Sequence, residues 1–130
     1  MLHIPTIYMT ESEGRGRGIF TSETIEIDDI IEICPLIILP KSEIQLLDKT
    51  MIHDYYFLLP DDSENACLPL GYGMLYNHHP EPNAEVVFDL PNNFIQIHCI
   101  QVITAGEEIF INYQNVEIEE KKPSLWFDVK

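Results

Sequence analysis

The chain has 130 residues and a mass of 15.1 kDa, inside the range of about 100–150 residues that commonly makes one domain. Apolar residues make up 45% and aromatics 10%, enough to build a core, which excludes wholesale disorder. Twenty-two acids against seven bases give a formal charge of −15, a field that repels phosphate backbones and attracts cationic peptides, so nucleic acid is not expected as a direct partner.

Short runs rich in Ile, Val, Phe and Tyr recur between turn residues, the pattern of many short strands rather than long helices. In chain order the predicted strands are Ile4–Thr10, Gly18–Thr21, Ile30–Cys34, Leu36–Leu39, Glu85–Leu90, Phe94–Val102 and Ile109–Tyr113. One helix is predicted after Pro40, with Ser42 as cap, Gln45 in capping-box register, and Ile44, Leu47 and Met51 on one face. Pro60-Asp61-Asp62-Ser63-Glu64-Asn65 reads as an exposed loop, and Pro91-Asn92-Asn93 as a hairpin turn. Residues 117–130 change character, with five charges followed by Pro123 and the apolar tip Leu125-Trp126-Phe127.

Charge is unevenly placed. Residues 50–120 contain twelve acids and no Lys or Arg, and the two arginines of the chain are Arg15 and Arg17. Cys34, Cys67 and Cys99 are too few and too widely spaced for a Cys-x-x-Cys clamp or a disulfide framework, which fits a reducing, intracellular setting, cytoplasmic or nuclear. The five histidines show no helical i, i+4 pair, so no metal is expected. No apolar run approaches the roughly 18 residues of a membrane span, and no signal peptide is expected.

Three blocks carry chemistry by their order. Gly16-Arg17-Gly18-Ile19-Phe20 is a glycine pair running into a strand, where glycine permits positive φ or close backbone approach. It is not a dinucleotide fingerprint, because no helical pattern follows. In Gly71–Ala84, Asn77 and His78 precede two prolines, so polar side chains fall on irregular backbone that needs unusual partners. Finally, Gly106-Glu107-Glu108 makes a turn into a strand ending at Tyr113.

In this order the blocks resemble the SET-domain family of protein-lysine methyltransferases. The resemblance rests on Gly16 and Gly18, on Asn77, His78, Pro82 and Asn83, and on Gly106, Glu107, Glu108 and Tyr113. It covers about residues 5–114 and is similar to short viral and bacterial members. It implies a mostly β fold of several small sheets, β-clip-like, with one or two short helices and a C-terminal pseudoknot over the Asn77-His78 segment. Residues 1–116 would be the catalytic domain, and 117–130 an extension completing the site or packing on it.

The resemblance also implies S-adenosylmethionine as cofactor, met by Gly16, Arg17, Gly18, Asn77, His78 and Tyr113. Tyr113 would be the active-site tyrosine, with Tyr55 lining the same site. Tyr55, Tyr56, Ile111, Trp126 and Phe127 would form a lysine channel opening to the other side. The substrate would be a basic protein, histone or histone-like, and the tail could instead meet a second copy in a homodimer. Two departures stand out: His79 occupies a position where many members carry Ser or Cys, and Ile111 one where many carry Phe or Tyr, which favours more than one added methyl. The alternative function is a degenerate SET module that holds cofactor or basic peptide without turnover.

Overall fold

A computed structural model describes residues 6–113 and 116–118. The polypeptide is mostly β, and its described residues form two two-stranded sheets and one of six strands. Strands β1 (Ile7–Ser12) and β2 (Gly16–Thr21) form an antiparallel hairpin. A six-stranded sheet has the order β10-β7-β8-β3-β5-β4, from β3 (Ile30–Leu39), β4 (Phe57–Leu58), β5 (Ala66–Pro69), β7 (Ala84–Asp89), β8 (Phe94–Cys99) and β10 (Val116–Ile118). The third sheet pairs β6 (Asn77–His78) with β9 (Phe110–Ile111) in parallel.

The core follows from strand alternation. Along β8 the residues Ile95, Ile97 and Cys99 are buried while Phe94, Gln96 and His98 are half-exposed, the period of two that a strand imposes. Ile19, Ile25, Ile31, Ile103, Ile109, Ile111, Phe88 and Tyr76 are among the other buried residues, each large aliphatic side chain contributing roughly 1.5–3 kcal/mol of burial. The thiols of Cys34, Cys67 and Cys99 lie in this interior, and burial pushes that of Cys67 up to about 12.

Two predicted strands, Ile30–Cys34 and Leu36–Leu39, are one continuous β3 running through Pro35. Pro35 stands where β3 exchanges neighbours: Ile30–Pro35 face β8 and Leu36–Leu39 face β5, so the missing N–H costs little ladder bonding. The hairpin of β4 and β5 encloses the acidic loop, and its strands are too short to show a period in the sequence. The predicted turn before Phe94 is present, with the Asp89 side chain accepting from the Asn92 N–H and Asn93 in the left-handed region at φ 58°.

The predicted helix is broken into a 3-10 turn at Lys41–Glu43, one α-helical turn α1 (Ile44–Leu47) and a second 3-10 turn at Met51–Asp54. Ser42 does not cap it, and Met51 is exposed rather than sharing a face with Ile44 and Leu47. Thr50 supplies a cap instead, its hydroxyl accepting from the Ile52 N–H and restarting the chain as a 3-10 turn.

The C-terminal strands organise the site. Residues 106–109 run antiparallel to β2, with Gly106 N–H bonded to Thr21 O and Ile109 N–H to Ile19 O. The chain then pairs β9 with β6 and, further on, β10 in parallel with β7. The link 79–83 thus joins two strands, β6 and β7, each paired in parallel with a C-terminal strand.

Candidate active site

Two cavities share a wall that includes Tyr113. The first, of about 290 Å³, is lined by aromatic and apolar side chains, among them Tyr55, Tyr56, Phe57, Met74 and Tyr76. The second, of about 270 Å³, is more polar and is lined by Glu11, Arg15, Gly16, Arg17 and Asn77. Asp54, Tyr55, Met74 and Tyr113 belong to both walls.

Tyr113 is placed by the parallel pairing of β6 with β9. His79 N–H bonds to Ile111 O at 2.9 Å, and Tyr113 N–H donates to His78 Nδ1 at 3.1 Å, so His78 carries any ring proton of its neutral form on Nε2. The Tyr113 hydroxyl donates to the Tyr76 carbonyl at 2.9 Å, while the rings of His78 and Phe57 lie 5.0 and 6.3 Å from its own. Partial burial, and then the neighbouring Tyr55, push its pKa above the ordinary value of 10.0. Tyr113 therefore stands at the junction as a neutral hydroxyl at neutral pH.

The Asn77 side chain is held by β2 and by the strand leading into β9. Its Nδ2 donates to Arg17 O at 2.9 Å and to Glu108 Oε2 at 2.7 Å, and Ser12 Oγ donates to Glu108 Oε1 at 2.6 Å. This explains Gly18. Its φ is ordinary, but a Cβ there would overlap the Glu108 carboxylate and lie 2.9 Å from Asn77 Nδ2. Gly16, at φ +81° with open space around it, serves the turn instead. Gly18→Ala is expected to displace Glu108 and Asn77, costing about 1–3 kcal/mol of stability, whereas Ser12→Ala leaves that space clear; thermal melting of the two variants checks this.

Asn83 ties the same region together, donating from Nδ2 to Glu108 O at 2.9 Å and accepting at Oδ1 from Phe110 N–H at 2.7 Å. Glu108 and Asn83 belong to the quoted motifs, yet nothing in their spacing marks them as the clamps on Asn77 and β9.

Behind the first cavity lies a carboxylate that the sequence reading missed. Glu32 is 8% exposed, next to fully buried Ile31, because a register shift between Ile30 and Glu32 turns it inward. It accepts from Tyr76 Oη at 2.6 Å and from Tyr72 N–H at 2.9 Å. Gly71, at φ +68°, has no Cβ where the Glu32 carboxylate sits. Desolvation, then the charge and hydrogen bonding of Glu32, hold the Tyr76 hydroxyl well above the usual phenol range. The segment approaching Asn77 is a chain of turns over residues 70–75.

Of the residues singled out from the sequence, Gly16, Arg17, Tyr55, Asn77 and Tyr113 come together on the second cavity, and Tyr55, Tyr56 and Tyr113 on the first. Tyr56 points its hydroxyl to Asp48 at 2.9 Å. His78 sits behind Tyr113, and Gly18 against Glu108, away from the cavity walls. Ile111 is fully buried in the core and lines neither cavity, because alternation along β9 turns Phe110 outward toward Arg15 and His79. Trp126 and Phe127 lie outside the described residues.

An aromatic-lined pocket and a more polar one with two arginines thus lie side by side, sharing Asp54, Tyr55, Met74 and Tyr113. The SET-domain pattern matches residues 16–114, and the chain belongs to that family of protein-lysine methyltransferases. It is 29% identical over 119 residues, 91% of the chain and 74% of the relative, to a Schizosaccharomyces pombe histone-lysine N-methyltransferase specific for H3 lysine-37. Among solved structures it is similar to a candidate histone methyltransferase of Plasmodium falciparum, with TM-score 0.68, 33% identity, and 93% and 96% of the two chains covered. A SET8 protein of Cryptosporidium shares the fold at TM-score 0.68 and 19% identity, with 86% of this chain and 59% of that one covered.

SET-domain lysine methyltransferases use S-adenosylmethionine, and the second cavity has a donor set that fits its amino-acid end. Neither Arg15 nor Arg17 forms an ion pair with a described residue, which leaves guanidinium charge for a carboxylate. Both amide hydrogens of Asn77 are committed, so its carbonyl oxygen is left to accept from an ammonium.

Proposed function

We propose that this chain transfers methyl groups from S-adenosylmethionine to the lysine amine of a basic protein. The observation that carries the reading is the sharing of Tyr113, Tyr55 and Met74 by the two cavities, so that ligands filling each would meet at the Tyr113 hydroxyl. The cofactor supplies an electrophilic methyl on a sulfonium. Gly16, Arg17 and Asn77 hold its amino-acid end, while Tyr55, Tyr56 and Phe57 enclose the lysine stem.

Lysine's ordinary pKa of about 10.4 makes the neutral amine rare at neutral pH, and an apolar pocket disfavours the ammonium. Tyr113 orients the amine at the junction, so the rate gain comes from alignment. We assign residues 1–116 to the catalytic unit and 117–130, with Trp126 and Phe127, to completion of the lysine pocket. Histone tails are the first substrates to try, because the Schizosaccharomyces pombe relative is named as a histone-lysine methyltransferase. The three buried free thiols suit a reducing compartment.

Labelled S-adenosylmethionine incubated with purified protein and a panel of basic proteins including histones tests the reading. Transfer to lysine is the expected result; cofactor binding with no transfer to any member would mean a binding module instead.

A Lys- and Arg-free, acid-rich stretch spans the sequence from Tyr55 to Tyr113, and Asp54 lines both cavities. This charge attracts a cationic peptide and is screened by salt. The Michaelis constant for a basic peptide is expected to rise several-fold between about 0.05 and 0.5 M salt. An unchanged value would assign the acidity to solubility.

A further inference from the structure

The hydrogen-bond pattern around Asn77 gives Glu108 a definite task. An amide side chain can rotate by a half turn at almost no cost in shape, exchanging its oxygen for its NH2, unless its partners forbid it. Here both partners of Asn77 Nδ2 are acceptors: Arg17 O, a backbone carbonyl of β2, and Glu108 Oε2. Ser12 Oγ fixes the other carboxylate oxygen, and the absent Cβ of Gly18 lets the carboxylate reach this position. Glu108 is fixed at its backbone as well, its carbonyl accepting from Asn83 and its residue bridging to Phe20.

We infer that Glu108 is a positioning residue that locks the Asn77 amide with its oxygen available to the second cavity, and so selects a ligand carrying an ammonium group there. The inference rests on the reading that this cavity takes the amino-acid end of S-adenosylmethionine. Glu108 acts through Asn77 and does not itself touch the ligand. If the amide were reversed, an NH2 would meet the ammonium, and the binding contribution of that group would be lost. A hydrogen bond to a charged group is worth about ten- to hundredfold in affinity.

The test compares two ligands by calorimetry: S-adenosylhomocysteine, and its deamino analogue in which hydrogen replaces the α-amino group. Glu108→Met keeps the length of the side chain and removes the acceptor. It is expected to weaken S-adenosylhomocysteine about tenfold or more and to leave the deamino analogue within about twofold. Glu108→Gln should restore the affinity, because its carbonyl can accept from Asn77 while its NH2 turns to the Ser12 hydroxyl.

If Glu108→Met does not fold, Glu108→Gln/Ser12→Ala takes its place, since loss of the Ser12 hydroxyl frees the Gln amide and the same selective loss is expected. Equal weakening of both ligands would make Glu108 a scaffold residue and overturn the inference. So would a Glu108→Gln variant as weak as Glu108→Met, which would mean that charge and not orientation matters. Failure of the unaltered protein to bind S-adenosylhomocysteine would instead overturn the underlying reading of the cavity.

Discussion

Replacing Tyr113 by Phe is expected to lower the turnover number for lysine methylation about a hundredfold or more while changing cofactor affinity little. The substitution removes one oxygen. That oxygen belongs to a side chain shared by the two cavities, and its hydrogen bond to the Tyr76 carbonyl fixes its place. The ring contacts with His78 and Phe57 survive in Phe, so the fold and the cofactor cavity should be preserved. Single-turnover kinetics with saturating S-adenosylmethionine, beside calorimetric binding of the cofactor, separate the two effects. A parallel loss of binding and turnover would place Tyr113 in cofactor retention and not in alignment of the amine.

Replacing Glu32 by Ala should give the largest loss of stability among the polar positions described. The substitution strips the buried Tyr76 hydroxyl and the Tyr72 N–H of their acceptor and opens a void beneath Gly71. Orphaning buried donors costs about 1–3 kcal/mol each, so a total near 3 kcal/mol and a fall of about 10 °C in melting temperature are expected. Activity should fall as well, since Tyr76 both lines the first cavity and supplies the carbonyl that holds Tyr113. Glu32→Gln keeps an acceptor for one partner and should lose less. Melting curves of the two variants decide the matter; a shift of under about 2 °C for Glu32→Ala would show that water replaces the lost partner.

How far the sequence disclosed these features depended on whether the signal was periodic, ordered or cooperative. The alternation of Ile95, Ile97 and Cys99 marks β8 directly, and the Pro91-Asn92-Asn93 turn carries its own dihedral preferences. The gathering of Gly16, Arg17, Asn77 and Tyr113 on one cavity follows the order of the three blocks, which is visible in the sequence. Glu32 was not readable, because its inward orientation depends on a bulge that a run of Ile, Glu, Ile and Cys does not announce. A lone acid within an apolar strand, in a chain so poor in cations, was the available signal.

Gly18 illustrates the same limit. Its presence was legible, but its reason is the carboxylate of a residue ninety positions later in sequence. Ile111 shows a different limit: the resemblance places it at the lysine channel, and local alternation along β9 buries it in the core beside neither cavity. The helix after Pro40 was misjudged because capping-box spacing does not ensure a cap when the chain is already turning as a 3-10 segment.

The most direct test is a crystal structure of the protein with S-adenosylhomocysteine and a lysine-bearing basic peptide. The cofactor product should lie against Arg17 and Asn77, and the lysine side chain between Tyr55, Tyr56 and Phe57, with its nitrogen beside the Tyr113 hydroxyl. A lysine entering from the Arg17 side, or a cofactor product seated away from Asn77, would contradict the two-cavity arrangement.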